Sequence, residues 1–204
     1  MVEKCILFID GENFLYKLED VLKLELGKGQ EIVSINFEKL LSNLFKGIKV
    51  NRKIFYTAKL REYQEFPETV EKSRELIAKQ RRLKTDLEKQ GLEVVIAGNV
   101  RAQAIGQGKD RKIVFREKGV DVRIAVDMVS MSCDDGLKTA ILCSSDSDLQ
   151  PAVAECKRRK VKVIYLGFEL IPNKGLVTTA DRTILIRNSE VKSSVVVTRE
   201  KLSK

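Results

Sequence analysis

KCILFIDGENF, residues 4–14, decides the fold. Cys5-Ile6-Leu7-Phe8-Ile9 is apolar without alternation, the pattern of a strand buried on both faces. The run stops at Asp10-Gly11. Phe14, Leu15, Leu18, Val21, Leu22 and Leu26 then recur at helical spacing until Gly27-Lys28-Gly29 breaks the pattern. A doubly buried strand that feeds directly into an amphipathic helix is the opening of a parallel sheet with helices laid on its faces.

The same alternation continues along the chain. Ser34 is placed to cap a second helix carrying Phe37, Leu40, Leu41, Leu44 and Phe45, and Arg52 to Ala58 reads as a strand. Pro67 suits the first turn of a long helix that runs to about Gln90 and stops at Gly91. Leu92 to Ala97 is another buried strand, and residues 98–118 are glycine-spotted and basic, with a short hairpin ending in KIVFR. Val120 to Met131 reads as a helix with Val122, Ala125, Val126 and Val129 inward. Thr139 to Cys143, Val161 to Leu166 and Thr183 to Ile186 read as strands, with a helix from Leu149 to Arg159 between the first two. Nothing repeats and no low-complexity linker interrupts the pattern. The expected fold is therefore α/β with a mainly parallel central sheet covered on both faces. Residues 188–204 are polar around Val195-Val196-Val197 and read as a tail or an added edge strand, whose pairing with a second copy would give a homo-oligomer.

Composition narrows the chemistry. The 204 residues contain 38 Lys and Arg against 29 Asp and Glu, a formal charge of +9, with no histidine and no tryptophan. The missing histidine excludes Ser-His-Asp and Cys-His nucleophile systems, histidine bases, and His-containing zinc or facial-triad sites. Cys5, Cys133, Cys143 and Cys156 form no C-x-x-C pair, and Cys5 and Cys143 lie inside apolar runs as small core hydrophobes. The opening apolar run is too short for a signal peptide, and no stretch is long enough to span a membrane; a cytoplasmic protein without a membrane partner is expected.

In doubly wound sheets, sites form beyond the carboxyl ends of the strands. Strand one ends in Asp10-Gly11-Glu12-Asn13, the strand closing at Cys143 continues Ser144-Ser145-Asp146-Ser147-Asp148, and the helix from Val120 carries Asp121 in its first turn and Asp127 further on. Singly, such residues are turn formers or caps, and one of Asp146 and Asp148 is expected to cap the helix holding Pro151. Together they would repel unless a cation neutralised them, and carboxylates without histidine or thiolate neighbours suit Mg²⁺ or Mn²⁺. An EF-hand from Asp146 fails at Pro151 and Lys157, and no G-x-x-x-x-G-K-[ST] or G-x-G-x-x-G occurs. A haloacid-dehalogenase-type phosphatase would need a second Asp where Glu12 stands.

FIDGENF (8–14), KGVDVRIAVDMV (118–129), SSDSDL (144–149) and TTADRTILI (178–186), in this order, resemble the NYN domain, and within it the LabA-like branch, relatives of the PIN-domain nucleases. The resemblance spans roughly residues 1–187. It implies a three-layer α/β/α sandwich and a divalent-metal-dependent ribonuclease. It places metal-binding carboxylates at Asp10, Asp121 and Asp146 with Asp148 close by, and makes Asn13 the polar partner that orients a carboxylate or water. Asp127 falls in the same motif, but six helical steps of ~100° carry it well round the helix from Asp121, so a buried hydrogen-bonding role stands beside direct catalysis.

The positive charge has a place in this reading. Arg101, Lys109, Arg111, Lys112, Arg116 and Lys118 crowd the segment leading into Asp121 and are expected to meet the backbone of a single-stranded RNA. Lys157-Arg158-Arg159-Lys160 is a second basic run, with a solvated face as its ordinary explanation. Tyr56 and Tyr63 are candidates for base stacking, although core packing accounts for Tyr56 more cheaply. The mechanism expected is metal-assisted phosphodiester hydrolysis, with an RNA-binding adaptor on the same fold as the alternative and a small-molecule phosphatase as a third reading.

Overall fold

The computed structural model describes residues 4–106, 111–133 and 136–199. Strand β1 (Lys4–Asp10) forms where the sequence is continuously apolar, and Leu7, Phe8 and Ile9 are almost fully buried. It runs into α1 (Gly11–Leu26), followed by β2 (Gln30–Ile35), α2 (Phe37–Ser42), β3 (Arg52–Lys59), a 3₁₀ turn at Pro67–Thr69, and α3 (Val70–Lys89). Next come β4 (Glu93–Ile105), β5 (Lys112–Lys118), α4 (Val120–Cys133), β6 (Leu137–Cys143), a 3₁₀ turn at Ser147–Leu149, α5 (Gln150–Arg158) and β7 (Lys162–Phe168). The described chain closes with α6 (Lys174–Thr179), β8 (Arg182–Ile186), α7 (Asn188–Ser194) and β9 (Val195–Arg199).

The seven-stranded sheet has the order β5-β4-β3-β1-β6-β7-β8, parallel throughout except for the antiparallel β4–β5 hairpin at its edge. One face packs Leu7, Ile9 and Phe55 beneath α1 and α2, with Leu87 of α3. The other packs Ile6, Phe8 and Tyr56 against Val120, Ile124 and Met128 of α4 and Val153 of α5. This is the three-layer α/β/α sandwich. Phe14 anchors α1 inside an aromatic group, with ring centroids 5.3 Å from Phe37, 5.6 Å from Phe168 and 6.5 Å from Phe55. Such pairs add about 0.5–1.5 kcal/mol beyond the area they bury, and here they fix the first turn of α1 against the end of β1. From β1 the chain builds outward through β3 and β4, then crosses back through α4 to β6, β7 and β8. The direction of winding therefore reverses between β1 and β6, where an open α/β sheet leaves a crevice at the strands' carboxyl ends.

Four sequence expectations change. Ser34 caps no helix: residues 30–35 form a strand, and Asn36 caps α2 by accepting from the Lys39 backbone N–H at 2.8 Å. The strand's partner is β9, about 160 residues later in sequence, in an antiparallel ribbon separate from the main sheet. The run after Leu92 continues to Ile105, because β4 bulges opposite Thr57–Lys59 and extends into the hairpin with β5. Finally, α4 buries Val120, Ile124 and Met128, an i, i+4, i+8 stripe, and leaves Val122 and Val126 at 60% and 52% exposed. Both helix faces are apolar in sequence, and only the position of the sheet selects between them. Among the described residues, no helix is long and apolar enough to cross a membrane.

Candidate active site

Asp10 is the centre of the crevice. It is the last residue of β1, caps α1, and is only 3% exposed. Its Oδ1 accepts from the Asn13 backbone N–H at 3.2 Å, the N-cap bond of α1. Its Oδ2 accepts from the Asn13 side-chain amide at 2.7 Å and from the Ser144 hydroxyl at 2.9 Å. Ser144, the residue after β6, in turn accepts from the Asp146 backbone N–H at 3.0 Å, and Asp146 Oδ1 accepts from the Asp148 N–H at 2.9 Å. A continuous chain of hydrogen bonds thus ties the ends of β1 and β6 together. Asp146 caps the 3₁₀ turn that leads into α5, while Asp148 is exposed.

Burial raises the Asp10 carboxyl above the ordinary Asp range; the hydrogen bonds from Ser144 and Asn13 pull the other way, and the nearby Asp146 charge adds to the rise. A second carboxyl is perturbed further. Burial, a hydrogen bond shared with Glu12, and the charges of Glu12, Asp10 and Asp121 push Glu117 up to about 9. Asp10, Glu12, Glu117, Asp121 and Asp146 therefore act on one another at one place. Glu12, Glu117 and Ser144 are absent from the sequence-derived set. Glu12 and Ser144 adjoin motif residues, but Glu117 reaches the site only through the hairpin, whose pairing is not local.

Glu117 has a consequence for stability. A carboxyl whose folded pKa lies above its unfolded value contributes stability below the unfolded pKa and loses it as pH rises through the folded one. Metal-free protein should therefore lose stability from about pH 4.5 towards 9. Glu117→Gln should flatten that fall, visible as a higher melting temperature than wild type at pH 8 in EDTA and a smaller difference at pH 5. Parallel melting curves for the two proteins would remove Glu117 as the cause.

The other expected residues are placed less centrally. Asp127 lies about 9 Å along α4 from Asp121 at 1.5 Å per residue. Its Oδ2 accepts from the Tyr56 hydroxyl at 3.0 Å and its Oδ1 from Arg123 Nε at 2.8 Å, so the structure gives it a pairing role beneath the crevice. Tyr56 and Tyr63 are buried and offer no ring to a base; the Tyr63 hydroxyl donates to the Val100 carbonyl. Arg101, Arg111, Lys112, Arg116 and Lys118 are exposed, and Lys109 lies outside the described residues. The hairpin register sets Arg101 directly opposite Arg116, Asn99 opposite Lys118 and Ile105 opposite Lys112, so these four cations share one face. Among the described residues none of the four takes part in an ion pair. The second basic run differs: Lys157 pairs with Asp181 at 3.1 Å, and Arg158 and Arg159 both pair with Glu155 at 2.7 Å.

No three acidic or thiol groups among the described residues stand at ligating distance of one point. The donor chemistry nonetheless fits a hard divalent cation: every donor is an oxygen, and burial, with neighbouring acids adding to it, holds two carboxyls above their ordinary range, a rise a cation would oppose. The residues expected from the sequence to hold it are Asp10, Asp121 and Asp146, and Glu12 and Glu117 act on the same place.

Among solved structures, a crystal structure of a protein of unknown function from Vibrio parahaemolyticus superposes with a TM-score of 0.59 at 19% identity, covering 96% of this chain and 97% of that one, a likeness of fold alone. No curated protein matches the chain. The model of the NYN domain matches residues 4–187, spanning every strand of the main sheet and each acidic segment of the crevice, and the chain belongs to the NYN domain family.

Proposed function

We propose that this protein is a divalent-metal-dependent ribonuclease of the LabA-like branch, hydrolysing phosphodiester bonds of single-stranded RNA. The observation that carries the reading is Asp10: a buried carboxylate at the β1/β6 switch point, oriented by Asn13 and Ser144 and crowded by further acids. A bound Mg²⁺ or Mn²⁺ ion supplies Lewis-acid chemistry, acidifying water and neutralising charge that develops on the phosphate. The chain's own part is arrangement. Asn13 and Ser144 fix the Asp10 carboxylate in one orientation, in the way outer partners orient metal ligands. Asp146 is held by its cap, and Asp121 is carried by the first turn of α4. The unpaired cations of the hairpin, on its face opposite Glu117, would neutralise phosphates of a bound strand without regard to sequence.

The test is incubation of single-stranded RNA with the protein and Mn²⁺, with and without EDTA, alongside Asp146→Asn. The variant keeps a cap acceptor, so it should melt close to wild type while EDTA-sensitive cleavage falls at least ~10-fold. Undiminished cleavage by that variant would remove Asp146 from the site. RNA binding without EDTA-sensitive cleavage would assign the fold an adaptor role instead.

A further inference from the structure

Tyr16 is the one exposed tyrosine of the chain and takes no part in its core. It sits one turn after Glu12 on α1, the residue 58% exposed, and among the described residues its hydroxyl makes no hydrogen bond. The Lys23 ammonium lies 5.9 Å from the ring centroid while pairing with Glu19 and Asp20. Lys23 follows Tyr16 by two helical turns, so it supports the ring from the side of α1 away from Asp10. Towards Asp10 the ring opens on a groove of about 440 Å³ lined by Glu12, Asn13, Tyr16, Phe115, Arg116 and Glu117. Three of these residues, Glu12, Asn13 and Glu117, also belong to the acidic site. The far wall carries Phe115, half-buried against Tyr63 with ring centroids 5.6 Å apart, and Arg116, which stands opposite Arg101 in the hairpin.

We infer that this groove is the seat of an unpaired nucleotide, with its base stacked on Tyr16 and its flanking phosphate at the β5 edge, where Arg116 lines the groove. The assignment rests on the ribonuclease reading and deepens it. The groove's volume is enough for one splayed nucleotide. Aromatic rings beside a positively charged track are how proteins hold single strands irrespective of sequence, because every base has a stacking face. Arg116 is the supporting observation: it lines the groove from the edge strand β5 and makes no ion pair among the described residues, so its charge is available to a backbone phosphate. A strand seated in this way passes from Arg116 over Tyr16 and delivers its next phosphate to Asp10.

The chain's tyrosines make a direct readout. There is no tryptophan, and Tyr56, Tyr63 and Tyr165 are at most 1% exposed, so Tyr16 is the tyrosine that iodide reaches. The full chain is titrated in EDTA with a mixed-sequence single-stranded RNA oligonucleotide and, separately, with the same sequence as a duplex. The single strand should protect the tyrosine emission from iodide. Tyr16→Ala should weaken its binding roughly tenfold or more, whereas Tyr16→Phe, which keeps the ring, should bind as wild type. Leu24→Ala, an exposed position on the same helix, should change nothing. Single-strand binding by Tyr16→Ala within about twofold of wild type, or a duplex that binds as tightly as the single strand, overturns the platform. The two readings fail separately. If Tyr16→Ala binds and cleaves as wild type in Mn²⁺, the platform falls and the nuclease stands. If RNA protects Tyr16 but no EDTA-sensitive cleavage occurs, the nuclease falls and the platform stands.

Discussion

Asp10→Asn should fold and fail to cut RNA. Asparagine is as good an N-cap as aspartate, so the bond from the Asn13 backbone N–H survives. The other oxygen accepts from two donors, Asn13 Nδ2 and Ser144 Oγ. An amide nitrogen there would face them, and a misplaced buried hydrogen bond costs about 1–3 kcal/mol. Removal of a buried charge whose pKa burial already raises offsets part of that cost. The net change in stability should therefore be small, a shift of a few degrees in melting temperature. Function is different. Partners one layer out from a metal site are worth about 10–100-fold, so loss of the central carboxylate itself should lower Mn²⁺-dependent cleavage at least ~100-fold. Cleavage by the folded variant at near wild-type rate would show that the crevice is not the reaction site. Asn13→Ala, which removes one donor and leaves the carboxylate, should fall between the two.

Gly11→Ala should act through packing instead of charge. A Cβ at Gly11 would press on the Phe55 ring and lie 2.5 Å from the Tyr56 carbonyl oxygen, a backbone atom in the middle of the sheet. Neither neighbour gives easily, because Phe55 is locked among Phe14 and Phe37 and Tyr56 is hydrogen-bonded into β3. Overpacking of this kind costs about 1–3 kcal/mol, which for a chain of this size lowers the melting temperature by roughly 2–12 °C. Relief comes only by moving the first turn of α1, which carries Asn13 and the cap on Asp10, so cleavage should fall together with stability. Gly27→Ala is the contrast. Gly27 ends α1 at φ +88° and ψ −179°, a region open essentially to glycine alone, so alanine there meets backbone strain of about 1–3 kcal/mol but no side-chain clash at the site, and activity should persist. Equal melting temperatures for Gly11→Ala and wild type would mean that α1 is not seated on β3 as described.

The residues that made the fold legible are those whose neighbours in sequence are also their neighbours in space. The doubly buried β1, the stripe of α1 and the strand-helix alternation from Leu137 to Phe168 each declare themselves locally. The Gln30–Ile35 strand does not, because its partner is the last described strand and its β-branched residues sit next to a genuine capping residue two positions from Ser34. The same limit applied to the site. Asp10, Asp121 and Asp146 were readable as strand-end and helix-start acids. Glu117 was not, since it joins them only when β5 folds back along β4. Arg101 and Arg116 could be read as basic, but their direct opposition required the register. Tyr16 was hidden for another reason: on an amphipathic helix, an aromatic residue next to Leu15 reads as packing, and only its exposure separates it from the core.

The absence of histidine first excluded whole classes of catalyst and then left an all-carboxylate centre as the chemistry to be tested. A crystal soaked in Mn²⁺, with anomalous diffraction recorded at the manganese edge, addresses that centre most directly. An anomalous peak bounded by Asp10, Asp121 and Asp146 is the predicted result. Manganese elsewhere, with no peak in the crevice at a concentration that supports cleavage, would contradict it.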